Sequence, residues 1–298
     1  MKKKKTLICI LGILIIISTL CCIALYKNGN SKISNNEISN SENEDIDVEE
    51  VNSIQPERQL WLENKNINND YIGELVFDSG LINKSFVQAK SVYDENGNLY
   101  HFYTEKGKLV KDGTGYSGND VYIWTNWKDM SYDYNILGGS VFMDYRNDID
   151  DQNIIIYGHH FSERAGHDPN RDKAFTPLEK LFDEDNYEEN STLKLILDNE
   201  TRDYELVGVY KYNVNDSFCV DTMQYYRTSY NYDEFEDVLD ENYYQNYIDG
   251  LKKVSLYDTN VDLTTNDKTL TLQTCVSGQD GVVYEICVFK LTNTQFFE

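Results

Sequence analysis

The chain has 298 residues, 40% of them hydrophobic, and a formal net charge of −24, which deepens to −28 once Lys2, Lys3, Lys4 and Lys5 are set aside. A surface this acidic repels phosphate backbones and anionic headgroups, which argues against nucleic acid as a partner. Of six cysteines, Cys9, Cys21 and Cys22 share one apolar run, and Cys219, Cys275 and Cys287 are too sparse for a disulfide framework, which leaves them open to thiol chemistry.

Behind the four lysines runs an uncharged apolar stretch from Thr6 to Tyr26. About 20 such residues, at 1.5 Å each, match a ~30 Å hydrocarbon core, and Cys21-Cys-Ile-Ala-Leu25 offers no small-residue cleavage site. We therefore expect residues 1–5 to be a cytoplasmic tail and residues 6–26 an uncleaved transmembrane helix. The positive-inside rule then places the remainder outside the cell, on a single-pass membrane protein. Residues 27–55, dominated by Asn, Ser, Glu and Asp, bury too little apolar area to offset ordering entropy and read as a flexible extracellular stalk.

From Pro56 the apolar residues become periodic, marking one domain, 56–298, of mainly β class. Glu57 to Asn64 has helical spacing. Short β-like segments follow at Ile72–Phe77, Phe86–Val92, Val121–Trp124, Ser140–Tyr145, Asn153–Tyr157, Leu193–Leu197, Tyr204–Tyr212, Thr269–Thr274 and Val282–Leu291. Their brevity and the Gly, Asn and Asp between them predict a closed or nearly closed sheet. One helix interrupts them: Tyr232 to Lys253 sets Phe235, Leu239, Tyr243, Tyr247 and Leu251 on one face, just before the penultimate strand.

Two strand ends carry candidate chemistry. The apolar run Asn153–Tyr157 stops at Gly158 and presents His159 and His160, while Leu270-Thr-Leu-Gln-Thr274 ends on Cys275, ahead of the small polar Ser277, Gly278 and Gln279. A thiol at a strand end is open to substrate, and an imidazole beside it can shift it toward thiolate and later protonate a departing amine. His101 lies far upstream, so His159, His160 and His167 are the available bases. Each signal alone also fits a packing cysteine or a loop histidine, and spacing does not establish that they meet.

Together with further segments these residues resemble the class B sortases, over most of Asp70 to Leu291. The carriers are Gly139-Ser-Val-Phe-Met-Asp-Tyr-Arg146, Tyr157-Gly-His-His160, Phe175-Thr-Pro-Leu-Glu-Lys-Leu181, Leu251-Lys-Lys-Val-Ser-Leu-Tyr257 and Asp267-Lys-Thr-Leu-Thr-Leu-Gln-Thr-Cys275. The resemblance implies a closed eight-stranded sortase-type β-barrel with an N-terminal helical segment and a helix before the penultimate strand. It makes Cys275 the nucleophile and His159 the general acid and base, with His160 a neighbour. The thiolate would attack a Thr carbonyl in an N-P-x-T-x type sorting signal at the C-terminus of a secreted protein, and the thioester would pass to a cell-wall peptide amine. Tyr157, Leu272, Gln273, Thr274 and Ser277 are the expected substrate-binding residues. No metal or organic cofactor is called for.

One departure stands out. The family carries an arginine on the last strand, but no basic residue occurs between Val276 and Phe289, and alignment on Lys290-Leu291 puts Tyr284 there, with Glu285 the next choice. We expect the Tyr284 phenol to replace the guanidinium; the alternatives are an arginine from another loop, such as Arg164, Arg171 or Arg227, or a slow or lost activity. The segment Ser162 to Lys173 is also longer than the family pattern and reads as a tolerated loop or a substrate rim. Three rival functions share some of these residues: a hydrolytic cysteine protease, a zinc site of His159, His160, His167 and Cys275, and a non-catalytic surface binding module.

Overall fold

The computed structural model describes residues 55–88, 102–105, 108–111, 119–123, 125–129, 131, 139–161, 173–223, 240–279 and 281–297. The expected tail and anchor, and the stalk up to residue 54, lie outside these, as do His101, His167, Arg164, Arg171 and Arg227. Among the described residues no helix is long and apolar enough to cross a membrane.

Helix α1, Pro56–Ile67, opens with proline in its first turn, where a missing N–H costs nothing, and carries Glu57 near its start and Lys65 near its end, matching the helix dipole. Its Trp61 indole donates to the Ile72 carbonyl at 2.7 Å and fixes the helix to the sheet. The strands are β1 (Tyr71–Phe77), β2 (Asn83–Val87), β3 (Phe102–Glu105), β4 (Lys108–Lys111), β5 (Val141–Met143), β6 (Asn153–Tyr157), β7 (Thr192–Ile196), β8 (Glu200–Asn213), β9 (Thr269–Cys275) and β10 (Val283–Phe296). Eight of them close in the order β1-β2-β5-β6-β9-β10-β8-β7, and β3 and β4 form a separate hairpin. The closed sheet is what the strand pattern predicts, and its eight strands are what the resemblance implies.

Alternation sorts the side chains. Leu75, Phe86, Ile154, Ile156, Leu270, Leu272, Cys287 and Phe289 fill the barrel interior, where Phe175, Leu178 and Leu181 of a 3-10 segment (Thr176–Phe182, with Phe175 as its cap) join them. Ile155, Ile286 and Val288 face outward beneath helix α4, Glu241–Val254. Helix α2 (Asn119–Tyr122) covers a third apolar cluster with Tyr71, Val87, Trp127 and Phe142, and α3 is the short Ser217–Asp221.

Two expectations are corrected. Val121–Trp124, read as a strand, begins within helix α2, because four β-prone residues fit one helical turn as well as an extended run. On α4 the buried face is Tyr244, Tyr247, Ile248 and Leu251, whereas Tyr243 is 63% exposed. The contiguous tyrosines at 243 and 244 allowed either phase, and packing on Tyr210 and Ile286 selects the second. The residues proposed upstream on this helix, Phe235 and Leu239, lie outside the described set.

Candidate active site

Strands β6 and β9 run parallel, with Ile156 opposite Leu272 and Tyr157 opposite Gln273. Beyond the last pair the strands stay joined: Gly158 N–H donates to the Gln273 carbonyl at 3.2 Å, and the Thr274 hydroxyl donates to the Gly158 carbonyl at 2.8 Å. His159 follows two residues after the Tyr157–Gln273 pair, and Cys275 two residues after it on β9, so both leave the same end of adjacent strands. Both are partly exposed. Gly158 has its own reason to lack a side chain: a β-carbon there would stand 2.6 Å from Cγ of Phe175, whose ring closes on the backbone.

The three described thiols differ in setting. Cys275 is partly exposed, while Cys219 and Cys287 are buried and free. Burial raises the pKa of the Cys219 thiol, and burial followed by the neighbouring Glu285 carboxyl raises that of Cys287 well above the usual value. Such thiols are inert toward electrophiles.

Strand β10 pairs antiparallel with β9, and Tyr284 is the Cα partner of Cys275. Directly paired residues share a face, so Tyr284 stands on the same side of the sheet as the thiol, with its ring 6.5 Å from that of Tyr212. Glu285, the other residue that could align with the missing arginine, pairs with Thr274 and is fully buried. The loop between these strands is short and turns through Gly278 and Gly281, both at positive φ, with Val276 N–H bonded to the Val283 carbonyl. Ser277 sits in it, partly exposed.

Other expected substrate residues fall differently. Leu272 is fully buried inside the barrel, Thr274 is 2% exposed and spends its hydroxyl on Gly158, and Gln273 is buried. Three successive strand residues cannot all line one groove, because their side chains alternate across the sheet. Tyr157 is half-buried, stacks near Phe142 at 5.5 Å, and donates its hydroxyl to Asp144 at 2.8 Å.

Asp144 is completely buried and also accepts from Arg146 Nε and Nη2, each at 2.9 Å, and from Asn119 Nδ2 at 3.2 Å. Burial opposes its ionised form, but the Arg146 guanidinium outweighs that and holds the carboxyl below its ordinary range. His159 has its Nε2 2.7 Å from the Ile123 carbonyl oxygen. His160 turns the other way, with Nε2 3.1 Å from Glu179 Oε2. The Asp144 cluster, the Ile123 contact and the Glu179 contact have no counterpart in the sequence reading. A backbone carbonyl has no residue-type signature, and Glu179 is one carboxylate among many.

No family model matches the chain. Sortase B of Listeria monocytogenes is 26% identical over 216 residues, spanning 64% of this chain and 77% of the relative. Sortase B of Staphylococcus aureus is 29% identical over 154 residues, 50% of this chain and 53% of that one. Among solved structures, a Staphylococcus aureus sortase B–substrate complex superposes with a TM-score of 0.55 at 20% identity, covering 79% of this chain and 86% of the other. Clostridium perfringens sortase B gives 0.54 at 22% identity, covering 78% and 99%. The structural matches speak for the barrel.

Proposed function

We propose that the chain is a class B sortase, a cysteine transpeptidase acting on proteins that end in a sorting signal, as its likeness to two sortase B proteins supports. The observation that carries the reading is the pairing of β6 with β9, which delivers His159 and Cys275 to one end of adjacent strands while Tyr284 stands across from the thiol.

The Cys275 thiolate attacks the carbonyl of a threonine in an N-P-x-T-x type signal, forming a tetrahedral adduct. As the adduct collapses the C–N bond breaks, His159 gives its proton to the leaving amine, and a thioester remains on Cys275. A cell-wall peptide amine then attacks the thioester, His159 takes its proton, and the C–S bond breaks to release Cys275 as the thiolate. This sequence needs one nucleophile and one acid–base group. Tyr284 donates a hydrogen bond to the oxyanion in each adduct, in the position where the family carries arginine. A phenol supplies direction without full charge, which favours a slower enzyme. Residues 6–26 would anchor the protein and residues 27–55 hold the catalytic domain off the outer membrane face. Substrates held at the same surface during export would then meet it at raised effective concentration.

The test is product analysis with a signal peptide, with and without an added amine-bearing wall peptide. Amide product that depends on the amine and vanishes in Cys275→Ala is expected. Cleavage indifferent to the amine would make the protein a hydrolase, and function surviving in Cys275→Ala would make it a binding module.

A further inference from the structure

The acid–base group proposed for this site has two nitrogens, and the structure distinguishes them. His159 Nε2 lies 2.7 Å from the Ile123 carbonyl oxygen. A carbonyl oxygen only accepts, so the nitrogen facing it must carry a proton in both the neutral and the charged ring.

That carbonyl is held in place. Ile123 follows helix α2, whose Tyr122 hydroxyl donates to Asp70 Oδ2 at 2.8 Å and accepts from Asn68 Nδ2 at 2.8 Å. Thr125 Oγ1 donates to the Val121 carbonyl at 2.6 Å, and Ser140 N–H donates to the Tyr122 carbonyl at 2.9 Å. Ser140 Oγ donates in turn to the Thr125 carbonyl at 2.7 Å. Both sides of the turn are therefore tied to the barrel.

Beside it sits Gly139 at φ +70°, where a β-carbon would stand 2.4 Å from the Ile123 oxygen and 2.7 Å from the Tyr122 oxygen. Any L side chain there would be strained in its own backbone and would displace the oxygen that meets His159. The glycine opens the Gly139–Arg146 segment, whose Asp144 fixes Tyr157 two residues ahead of the histidine. The segment thus bears on the imidazole through Gly139 and on the strand that carries it through Asp144.

We propose that the Ile123 carbonyl, given room by Gly139, is the positioning group of His159: it locks the ring as the Nε2–H tautomer, so that Nδ1 is the nitrogen that exchanges protons with the thiol and the amines. This rests on His159 being the acid–base group, as argued above. In balance, Nδ1 takes the proton from Cys275, returns it to the amine leaving the threonine carbonyl, and takes another from the incoming amine. Nε2 keeps its proton throughout.

The experiment reads the tautomer directly, by 15N spectra of the full chain labelled at histidine in detergent micelles, with His159→Gln to assign the signal. Above the histidine pKa, a protonated, pyrrole-type Nε2 with a pyridine-type Nδ1 is expected; the reverse pattern overturns the proposal. Gly139→Ala should weaken the bond, moving the His159 titration to lower pH, because the charged ring loses the stronger donor contact. In the same variant kcat should fall by roughly ten- to a hundred-fold with KM nearly unchanged, as expected for a catalytic group displaced by a fraction of an ångström to an ångström. Gly80→Ala is the control: Gly80 has φ +80° with nothing within 4 Å of its added β-carbon, so backbone strain alone should leave kcat and the His159 titration as they were. A Gly139→Ala enzyme with wild-type kcat and titration overturns the positioning role. If that variant does not fold, the wild-type spectrum still decides the tautomer. The spectra require no turnover, so a protein that shows no transpeptidation would sink the proposed function while leaving this reading testable.

Discussion

Replacing Glu285 with glutamine should stabilise the protein, and by an amount that grows with pH. Glu285 lies on β10 opposite Thr274 and Lys211, fully buried. Its Oε1 meets only the weak Cys287 thiol donor at 3.8 Å, and Oε2 has no hydrogen-bond partner among the described residues. Burial first, and then the nearby Glu179 carboxylate, push its carboxyl from an ordinary 4.5 up to about 8. At pH 7 the folded protein therefore holds this proton while the unfolded chain has released it. The difference between pH 7 and the unfolded value is 2.5 units, or about 3 kcal/mol of stability lost, rising to about 5 kcal/mol above pH 8. The sign follows from proton counts: the folded state binds more protons between pH 4.5 and 8, so stability falls as pH rises through that window. Glutamine carries no such linkage. Urea unfolding of both proteins at pH 4.5, 5.5, 7 and 8 should show curves that coincide at the lowest pH and separate by about 1.4 kcal/mol per unit above it. A gap that does not vary with pH would refute the reasoning, since it would mean that the carboxyl does not change its protonation on folding.

Other expectations are simpler. Tyr284→Phe should lower kcat/KM about 10- to 100-fold if the phenol serves the oxyanion; full activity in a transpeptidation assay would reduce Tyr284 to a packing residue. Limited alkylation of the native protein, followed by peptide mapping, should label Cys275 well before Cys219 or Cys287, because both of those thiols are buried with raised pKa values. Asp144→Asn breaks a buried ion pair and should cost about 3 kcal/mol in urea unfolding near neutral pH. Since the folded pKa of Asp144 is depressed below 3.8, that contribution is present above this value and should fade as pH falls through the lower folded one. Gly158→Ala drives a methyl into the Phe175 ring and should destabilise by about 1 to 3 kcal/mol in the same assay.

The barrel was legible because its strands advertise themselves. Asn153–Tyr157 is an unbroken apolar run suited to a strand covered on both sides, and Thr269–Cys275 alternates cleanly into its thiol. The phase of α4 was not legible, because adjacent tyrosines at 243 and 244 offered two faces and only the partner surface chooses between them. Helix α2 was hidden by β-prone residues, and the β3–β4 hairpin passed unread. At the site, strand position was enough to put Tyr284 opposite the thiol, since pairing turns sequence offset into register. Which residues share the thiol's side of the sheet was harder: Leu272 and Thr274 point inward by the same alternation that leaves Cys275 partly exposed. The Ile123 carbonyl and the buried Glu285 depend on approach in three dimensions, which no local pattern encodes.

The hydrogen bond from Thr274 to the Gly158 carbonyl joins positions separated by 116 residues of chain. Loops that long close late and slowly, and β9 and β10 leave the ribosome after the other strands of the barrel. Until they dock, the strand that leads to His159 and the strand that ends on Cys275 belong to separate parts of an unfinished molecule. On the proposed mechanism, reactivity would arrive together with the completed barrel, and a nascent or half-unfolded chain would lack the paired thiol.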